Sequence, residues 1–218
     1  MIRHRGNKTV TVCAGNSSSG KSSFMVRYFL NADVDCFFIF DPAHEYEERL
    51  LTRAARTQAE CDQASLDGFC VFDPSEMFPG QPMAAFEWFV AYVWARSEQL
   101  TGDKILFVDE IWKYCSPQKI PLELTTIAVE GRKRGVGLFV CAQRPNKINE
   151  AILNELTELI CFRLRGKRAL EFLPDYSDLD PEEVSRLPVL HFVAENSENG
   201  AVLRGQIVFD QTPPAPRE

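Results

Sequence analysis

One short stretch constrains this chain more than any other. Gly15-Asn16-Ser17-Ser18-Ser19-Gly20-Lys21-Ser22 matches G-x-x-x-x-G-K-[ST], and it stands between an apolar run, Thr9–Ala14, and a helix-patterned segment, Lys21–Leu30. Glycines in such a loop let the backbone curl so that its N–H groups face phosphates, and the helix that follows adds its positive end. Lys21 then supplies a point charge to the phosphates and Ser22 a hydroxyl to Mg²⁺. A strand before the motif and a helix after it form the context in which it works. Gly15, Asn16, Ser17, Ser18, Ser19, Gly20, Lys21, Ser22 and Ser23 are therefore the candidate nucleotide contacts.

The rest of the chain repeats the same alternation. Strands are expected at Thr9–Ala14, Cys36–Asp41, Phe69–Phe72, Ile105–Asp109, Leu138–Gln143 and Leu159–Arg165. Helices are expected at Lys21–Leu30, Glu45–Ala55, Met83–Leu100, Leu122–Arg134 and Glu150–Leu156. This pattern predicts an α/β fold with a mainly parallel sheet covered on both faces. In the third helix Phe86, Phe89, Val90, Val93 and Trp94 follow i, i+3, i+4, i+7, i+8, the spacing of a buried face. Trp88 and Tyr92 widen that arc, so either the helix is covered on two sides or one side meets a neighbouring subunit. His191–Glu195 and Ala201–Phe209, around Asn196-Ser197-Glu198-Asn199-Gly200, read as a C-terminal antiparallel hairpin. One domain over residues 1–210 is expected, with 211–218, which contains Pro213-Pro214-Ala215-Pro216, as a disordered tail.

Three further stretches carry chemistry. Ile105-Leu106-Phe107-Val108-Asp109-Glu110 is a buried strand that delivers two carboxylates at its C-terminal end, the edge where ligands bind in open α/β sheets. Asp109 is placed to hold Mg²⁺, and Glu110 to polarise a water attacking the γ-phosphate. Gly137-Leu138-Phe139-Val140-Cys141-Ala142-Gln143 ends at the same edge. If it lies between the loop strand and the Asp109 strand, Gln143 falls beside the γ-phosphate. Glu130-Gly131-Arg132-Lys133-Arg134-Gly135 ends a helix in cations, which suits its negative pole and also offers an arginine to a neighbour's nucleotide. Asn146-Lys147-Ile148-Asn149 imitates a guanine-reading N-K-x-D but has Asn149 in place of the essential Asp.

Together these residues resemble the HerA–FtsK superfamily of P-loop DNA-pumping ATPases. Phe40-Asp41-Pro42-Ala43-His44-Glu45-Tyr46 is similar to that family's D-P-x-G-E-Y, with His44 in place of Gly. Gly131-Arg132-Lys133-Arg134-Gly135-Val136-Gly137 resembles the segment that bears its trans-acting arginine, which maps onto Arg132 with Arg134 as the alternative. Ala142-Gln143-Arg144-Pro145 is similar to its T-Q-R-P sensor. The resemblance implies an ASCE, RecA-like P-loop NTPase. It further implies ATP and Mg²⁺ as ligands, Lys21, Glu110, Gln143 and Arg132 as catalytic, and Ser22 and Asp109 at the metal.

At 218 residues the chain has the size of a bare ATPase core. That size is similar to the genome-packaging ATPases of tectivirus-like, membrane-containing icosahedral viruses. The resemblance then implies a homo-oligomeric ring, hexamer or pentamer, that pumps double-stranded DNA at a capsid vertex, in the host cytoplasm or on the virion. A HerA/FtsK-like conjugation, repair or phage-assembly ATPase is the alternative, and a small-molecule kinase a further one.

Composition tempers the partner but not the fold. Lys plus Arg number 24 against 31 Asp plus Glu, a net charge of −7 that excludes a generally basic nucleic-acid coat. The charges are segregated, however: acids gather at 45–48 and 175–183, cations at 3–8, 132–134 and 163–168. Seven cysteines without a C-x-x-C pair argue against a disulfide framework or a zinc site. The most apolar long stretch, 83–95, is interrupted by Glu87 and too short to span a bilayer, which takes about 20 residues. No signal-like apolar region follows the basic N-terminus.

Overall fold

The protein is described by a computed structural model, in which residues 9–208 are placed; the cations of 3–8 and the expected tail 211–218 lie outside the described residues. The chain alternates as the apolar runs dictate: β1 (Val10–Ala14), α1 (Lys21–Asn31), β2 (Cys36–Phe40), α2 (Glu45–Arg49), α3 (Gln58–Leu66), β3 (Phe69–Phe72), α4 (Pro82–Ser97) and β4 (Lys104–Val108). It continues through α5 (Leu122–Glu130), β5 (Val136–Ala142), α6 (Glu150–Leu153), β6 (Glu158–Phe162), α7 (Lys167–Leu170), α8 (Leu173–Tyr176) and α9 (Pro181–Arg186). It closes with the hairpin β7 (His191–Asn196) and β8 (Ala201–Gln206).

All eight strands form one sheet in the order β3-β2-β4-β5-β1-β6-β7-β8. The first six run parallel and the last two add antiparallel pairings. Strands β1, β2, β4, β5 and β6 are buried at every position and mostly apolar, with Thr11, Lys104 and Glu158 as the polar residues among them. One face packs Val12, Leu106, Leu138 and Val140 against α4, α5 and α6. The other packs Cys13, Phe107, Phe139 and Phe162 against α1, through Met25, Tyr28 and Phe29. All seven cysteines are free and buried. Among the described residues no helix is long and apolar enough to cross a membrane.

Several helices differ from expectation: α6 stops at Leu153 instead of Leu156, and α7, α8 and α9 were not expected. The segment expected as a helix over Glu45–Ala55 is helical only to Arg49, because Leu51 turns left-handed (φ 50°) and the chain then joins the sheet edge. There Ala55 N–H donates to Val71 O at 2.7 Å and forms a parallel bridge to Phe72. Helix α3 was not expected, yet its start is written in Thr57-Gln58-Ala59-Glu60. Thr57 accepts from the Glu60 N–H, and the Glu60 carboxylate accepts from the Thr57 N–H, a capping box. The α5 segment stays α-helical only to Glu130 and finishes as a 3₁₀ turn, Gly131–Arg134. A Cβ on Gly131 would stand 2.2 Å from Val136 O, so the chain can tighten there only through glycine.

The broad apolar arc of α4 is covered within the chain on both sides. Trp88 packs tilted against Phe72 with ring centroids 5.0 Å apart, Tyr92 donates to Asp62 Oδ1 at 3.0 Å, and Trp94 lies under the Arg134 guanidinium at 3.9 Å.

Glu158 is the costly residue in this sheet. It opens β6 on the α1 face, 7% exposed, and lines a cavity of about 470 Å³ between α1 and the hairpin with Tyr28, Ile160 and Phe192. Thr11 Oγ1 donates to it at 3.3 Å, but burial pushes its carboxyl up from 4.5 to about 7. Its folded pKa exceeds its unfolded one, so the native state binds the extra proton. The associated stability is complete below about pH 4.5 and is lost as pH rises through 7, roughly 3 kcal/mol in all. Urea titrations of the Glu158→Gln variant between pH 5 and 8.5 should show that decline removed; parallel curves for parent and variant would refute the assignment.

Candidate nucleotide site

The C-terminal ends of β1, β4, β5 and β6 meet at one edge, and the loops that leave them build the site. Gly15 follows β1 without room for a side chain: a Cβ there would stand 2.7 Å from both Phe162 Cβ and Ser19 Oγ. Its N–H donates to Ala142 O at 3.2 Å, and the Asn16 N–H to Arg163 O at 2.9 Å. Asn16 Oδ1 in turn accepts from the Arg165 N–H at 2.6 Å, so the loop is braced on β5 and on the chain after β6. Gly20, at φ 120°, caps α1 without a side-chain bond and leaves the first N–H groups of that helix to a ligand.

Two observations test whether this loop fits a nucleotide phosphate. Ser19 Oγ is buried with no hydrogen-bond partner. Lys21, 7% exposed, turns its ammonium onto the loop's own carbonyls, Gly15 O at 2.7 Å and Asn16 O at 3.1 Å. A cation held only by carbonyl oxygens inside a curled loop marks a place for an anion, and the residues fit. Ser22 and Ser23 stand half-buried in the first turn of α1.

Asp109 and Glu110 leave β4 beside this loop. Burial, with the Glu110 charge adding to it, pushes the Asp109 carboxyl up; the Tyr46 hydroxyl and Lys21 oppose the rise. Tyr46 Oη donates to Asp109 Oδ2 at 3.1 Å. Glu110 adopts the left-handed conformation (φ 49°) and is 8% exposed. Its Oε2 accepts from the Gln143 N–H at 3.2 Å and from Trp112 Nε1–H. Among the described residues no cluster of three His, Cys, Asp or Glu side chains could hold a metal alone. A Mg²⁺ at Ser22 and Asp109 would share its shell with phosphate and water, the usual arrangement for that ion.

The structure separates the expected residues into two groups. Strand β5 does lie between β1 and β4, which brings Gln143 to the edge that carries Lys21, Asp109 and Glu110. Arg132 lies before β5, at the opposite edge, seven residues or about 23 Å of strand away. Arg134 is occupied within the chain: it donates to Trp94 O at 2.7 Å and pairs with Glu98 at 3.4 Å. Arg132 is exposed and forms no side-chain hydrogen bond or ion pair among the described residues. Asn149 proves structural. It caps α6 by accepting from the Ala151 N–H at 2.9 Å and donates to Ser116 O and Pro117 O.

The Asp41–Tyr46 stretch explains its own composition. Asp41 accepts from the N–H groups of Glu45, Tyr46 and Glu47 at 2.9, 2.7 and 3.2 Å and so fastens the start of α2. His44 takes a left-handed conformation (φ 57°), which accounts for glycine being usual there, and its ring meets Asp73 at 3.3 Å. Burial works against the Asp73 charge, but Ser75, His44 and Arg56 together hold its carboxyl below the ordinary range. Sequence reasoning named Tyr46 only within the D-P-x-G-E-Y resemblance and gave it no role, and it missed Trp112; an aromatic two residues past a carboxylate carries no signal by itself.

No protein-family model matches the chain. Its sequence is 37% identical over 82 residues to the DNA double-strand break repair helicase HerA of Pyrococcus furiosus. That match covers 38% of this chain and 14% of HerA. The genome packaging NTPase B204 of Sulfolobus turreted icosahedral virus 2, in complex with AMPPCP, superposes with a TM-score of 0.74 at 21% identity, covering 92% of this chain and 98% of that one. The chain has the B204 fold. The cytoplasmic domain of the type VII secretion ATPase EccC of Thermomonospora curvata is more distant, at TM-score 0.59 and 14% identity, covering 95% of this chain and 26% of that one. The B204 fold and the HerA match together support the resemblance to the HerA–FtsK superfamily.

Because Tyr46 reaches Asp109 from another element, its hydroxyl can be removed alone. Tyr46→Phe should destabilise the protein by about 2 kcal/mol, the loss of a hydrogen bond to a charged group. Guanidinium titration checks this; an unchanged midpoint would mean that Asp109 finds another donor at once.

Proposed function

We propose that this protein is a Mg²⁺-dependent ATPase of the HerA–FtsK type that drives double-stranded DNA into a viral capsid. The observation that carries the reading is the placement of β5 between β1 and β4. It sets Glu110, Gln143 and Lys21 at one edge, with the Glu110 carboxylate bonded to the Gln143 N–H. An acid that follows the metal-binding carboxylate directly suits hydrolysis by activated water better than transfer to a small acceptor.

In this reading the curled loop and the start of α1 bind the β- and γ-phosphates, and Lys21 leaves its carbonyl partners for them. Ser22 and Asp109 would hold Mg²⁺, which neutralises charge on the phosphates when bound. Tyr46 fixes the rotamer of Asp109. Glu110 takes the proton of the attacking water, and Gln143 orients that water and distinguishes ATP from ADP.

Arg132 cannot serve its own site, since the sheet separates them. It would stabilise the transferring phosphoryl in a neighbouring copy, an effect worth about 10³–10⁵ in rate. The reading thus requires a ring, hexameric or pentameric. Arg134, spent on Trp94 and Glu98, is the weaker choice. Conjugation, repair or phage assembly would use the same machine. The likeness to B204 across nearly the whole of both chains favours packaging, with capsid vertex proteins as partners at the virion or in the host cytoplasm.

ATP turnover with and without duplex DNA at low salt tests the assignment. DNA should stimulate turnover; DNA-insensitive turnover with phosphorylation of a nucleoside or sugar would indicate a kinase. Glu110→Gln should retain ATP binding and lose turnover by roughly 10²–10⁴. Arg132→Ala and Lys21→Ala chains, each inactive alone, should recover activity when mixed, because each supplies what the other lacks. Mixed rings that stay inactive would exclude an arginine acting in trans.

A further inference from the structure

Trp112 connects the candidate base to a group of exposed cations. Its indole N–H donates to Glu110 Oε2, the oxygen that also accepts from the Gln143 N–H at 3.2 Å. Above the same ring lie Arg144, with its guanidinium carbon 5.1 Å from the ring centroid, and Lys147, with its ammonium at 5.5 Å. Both belong to the turn that leaves β5, and both are exposed. Helix α7 packs beside that turn and exposes Lys167 and Arg168. Of these four, Lys167 reaches Glu171 at 4.0 Å; Arg144, Lys147 and Arg168 form no ion pair among the described residues. On a chain of net charge −7, this is a local concentration of uncompensated cations at the edge that carries the site.

Glu110 itself is restrained. It is 8% exposed, both of its donors share one oxygen, and its backbone is left-handed. Two N–H donors on Oε2 hold the carboxylate in place and lower the basicity of that oxygen, so this arrangement restrains the base.

We infer that Arg144, Lys147, Lys167 and Arg168 form a docking surface for the phosphate backbone of DNA, and that Trp112 is a positioning residue which restrains Glu110 until DNA engages that surface. Phosphates compete with the indole face for Arg144 and Lys147, because a cation binds an anion in preference to a ring quadrupole. Once the cations are drawn away, the indole loses its cover and releases Oε2. DNA contact and water activation are then one coupled event. The inference rests on the reading of Glu110 as the base.

The full chain provides the test. Fluorescence anisotropy with a labelled duplex, repeated across KCl concentrations, reads the surface. Arg144→Ala/Lys147→Ala should weaken binding and reduce the slope of log K against log salt by about 1.8, two phosphate contacts at about 0.9 each. A parental slope would overturn the surface and point instead to an acidic protein partner. Trp112→Phe keeps an aromatic ring beside the cations and removes the N–H together with the fused pyrrole ring. DNA-free kcat should rise on the order of tenfold, with KM for ATP and DNA affinity unchanged, and stimulation by DNA should shrink accordingly. Turnover and stimulation at parental values, or turnover lowered with or without loss of stability, would overturn the latch. Normal turnover in Glu110→Gln would instead remove the underlying reading, whatever Trp112→Phe shows.

Discussion

The edge that carries the candidate site depends on the burial of β5 between β1 and β4. Seven consecutive buried residues, Val136 to Ala142, leave that strand no polar face, so it is stable only with strands on both edges and helices on both faces. Gly137 lets it lie close to the start of β1, since a Cβ there would stand 3.2 Å from Thr9. From this one placement follow the Gln143 N–H on Glu110, the Gly15 N–H on Ala142 O, and the opposite position of Arg132. A parallel sheet makes such a convergence automatic, because every strand ends at the same edge.

What could be read in the sequence is what local pattern encodes. Short, mainly apolar runs mark doubly covered strands, and Thr9–Ala14, Cys36–Asp41 and Ile105–Asp109 lie within a residue of the strands observed. The loop at Gly15–Ser22 is legible because its steric demands are written in glycine. Tertiary preference decided where pattern failed. Leu51 breaks the expected second helix because the chain beyond it gains a sheet-edge bridge at Ala55, a partner that no local signal announces. Helix α3 escaped for the opposite reason: its capping box was present, but Gln58–Leu66 carries only Cys61 and Ser65 as buried residues and shows little apolar periodicity. At the site, single residues with steric or charge requirements were legible. Pairs such as Tyr46 with Asp109 or Trp112 with Glu110 arise only when separate loops meet.

The segregation of charge now has a structural meaning. The acids of 45–48 fall at the start of α2, where Glu45 and Glu47 suit the positive end of the helix. Glu47 also pairs with Arg56 at 2.9 Å. Glu45, Glu47 and, from the second acidic group, Asp180 and Glu183 are tied into local structure, whereas Arg144, Lys147 and Arg168 form no ion pair among the described residues. A net negative charge and a cationic working edge are compatible, because Debye screening over about 8 Å makes the local arrangement, not the total, decide what a surface attracts.

Backbone strain follows the same geography. Among the described residues five non-glycine positions take positive φ: Ser18, His44, Leu51, Glu110 and Leu190. Each such conformation costs about 1–2 kcal/mol unless surrounding contacts enforce it. Four of the five border the site, and three of those have visible bracing. His44 is held by Asp73, and Glu110 by Trp112 and Gln143. The Leu190 N–H donates to Ser19 O at 3.0 Å while Leu190 O accepts from the Ile207 N–H at 2.8 Å. The C-terminal hairpin thereby supports the nucleotide loop from beneath, and a Cβ on Gly20 would meet Leu190 and Ile207 at 3.2 and 3.3 Å. Leu51, the exception, is 92% exposed and ends a helix. Strain that is braced on several sides serves to fix a group in place. At Glu110 the brace consists of the Trp112 indole and the Gln143 N–H, and the cations Arg144 and Lys147 lie over that same indole.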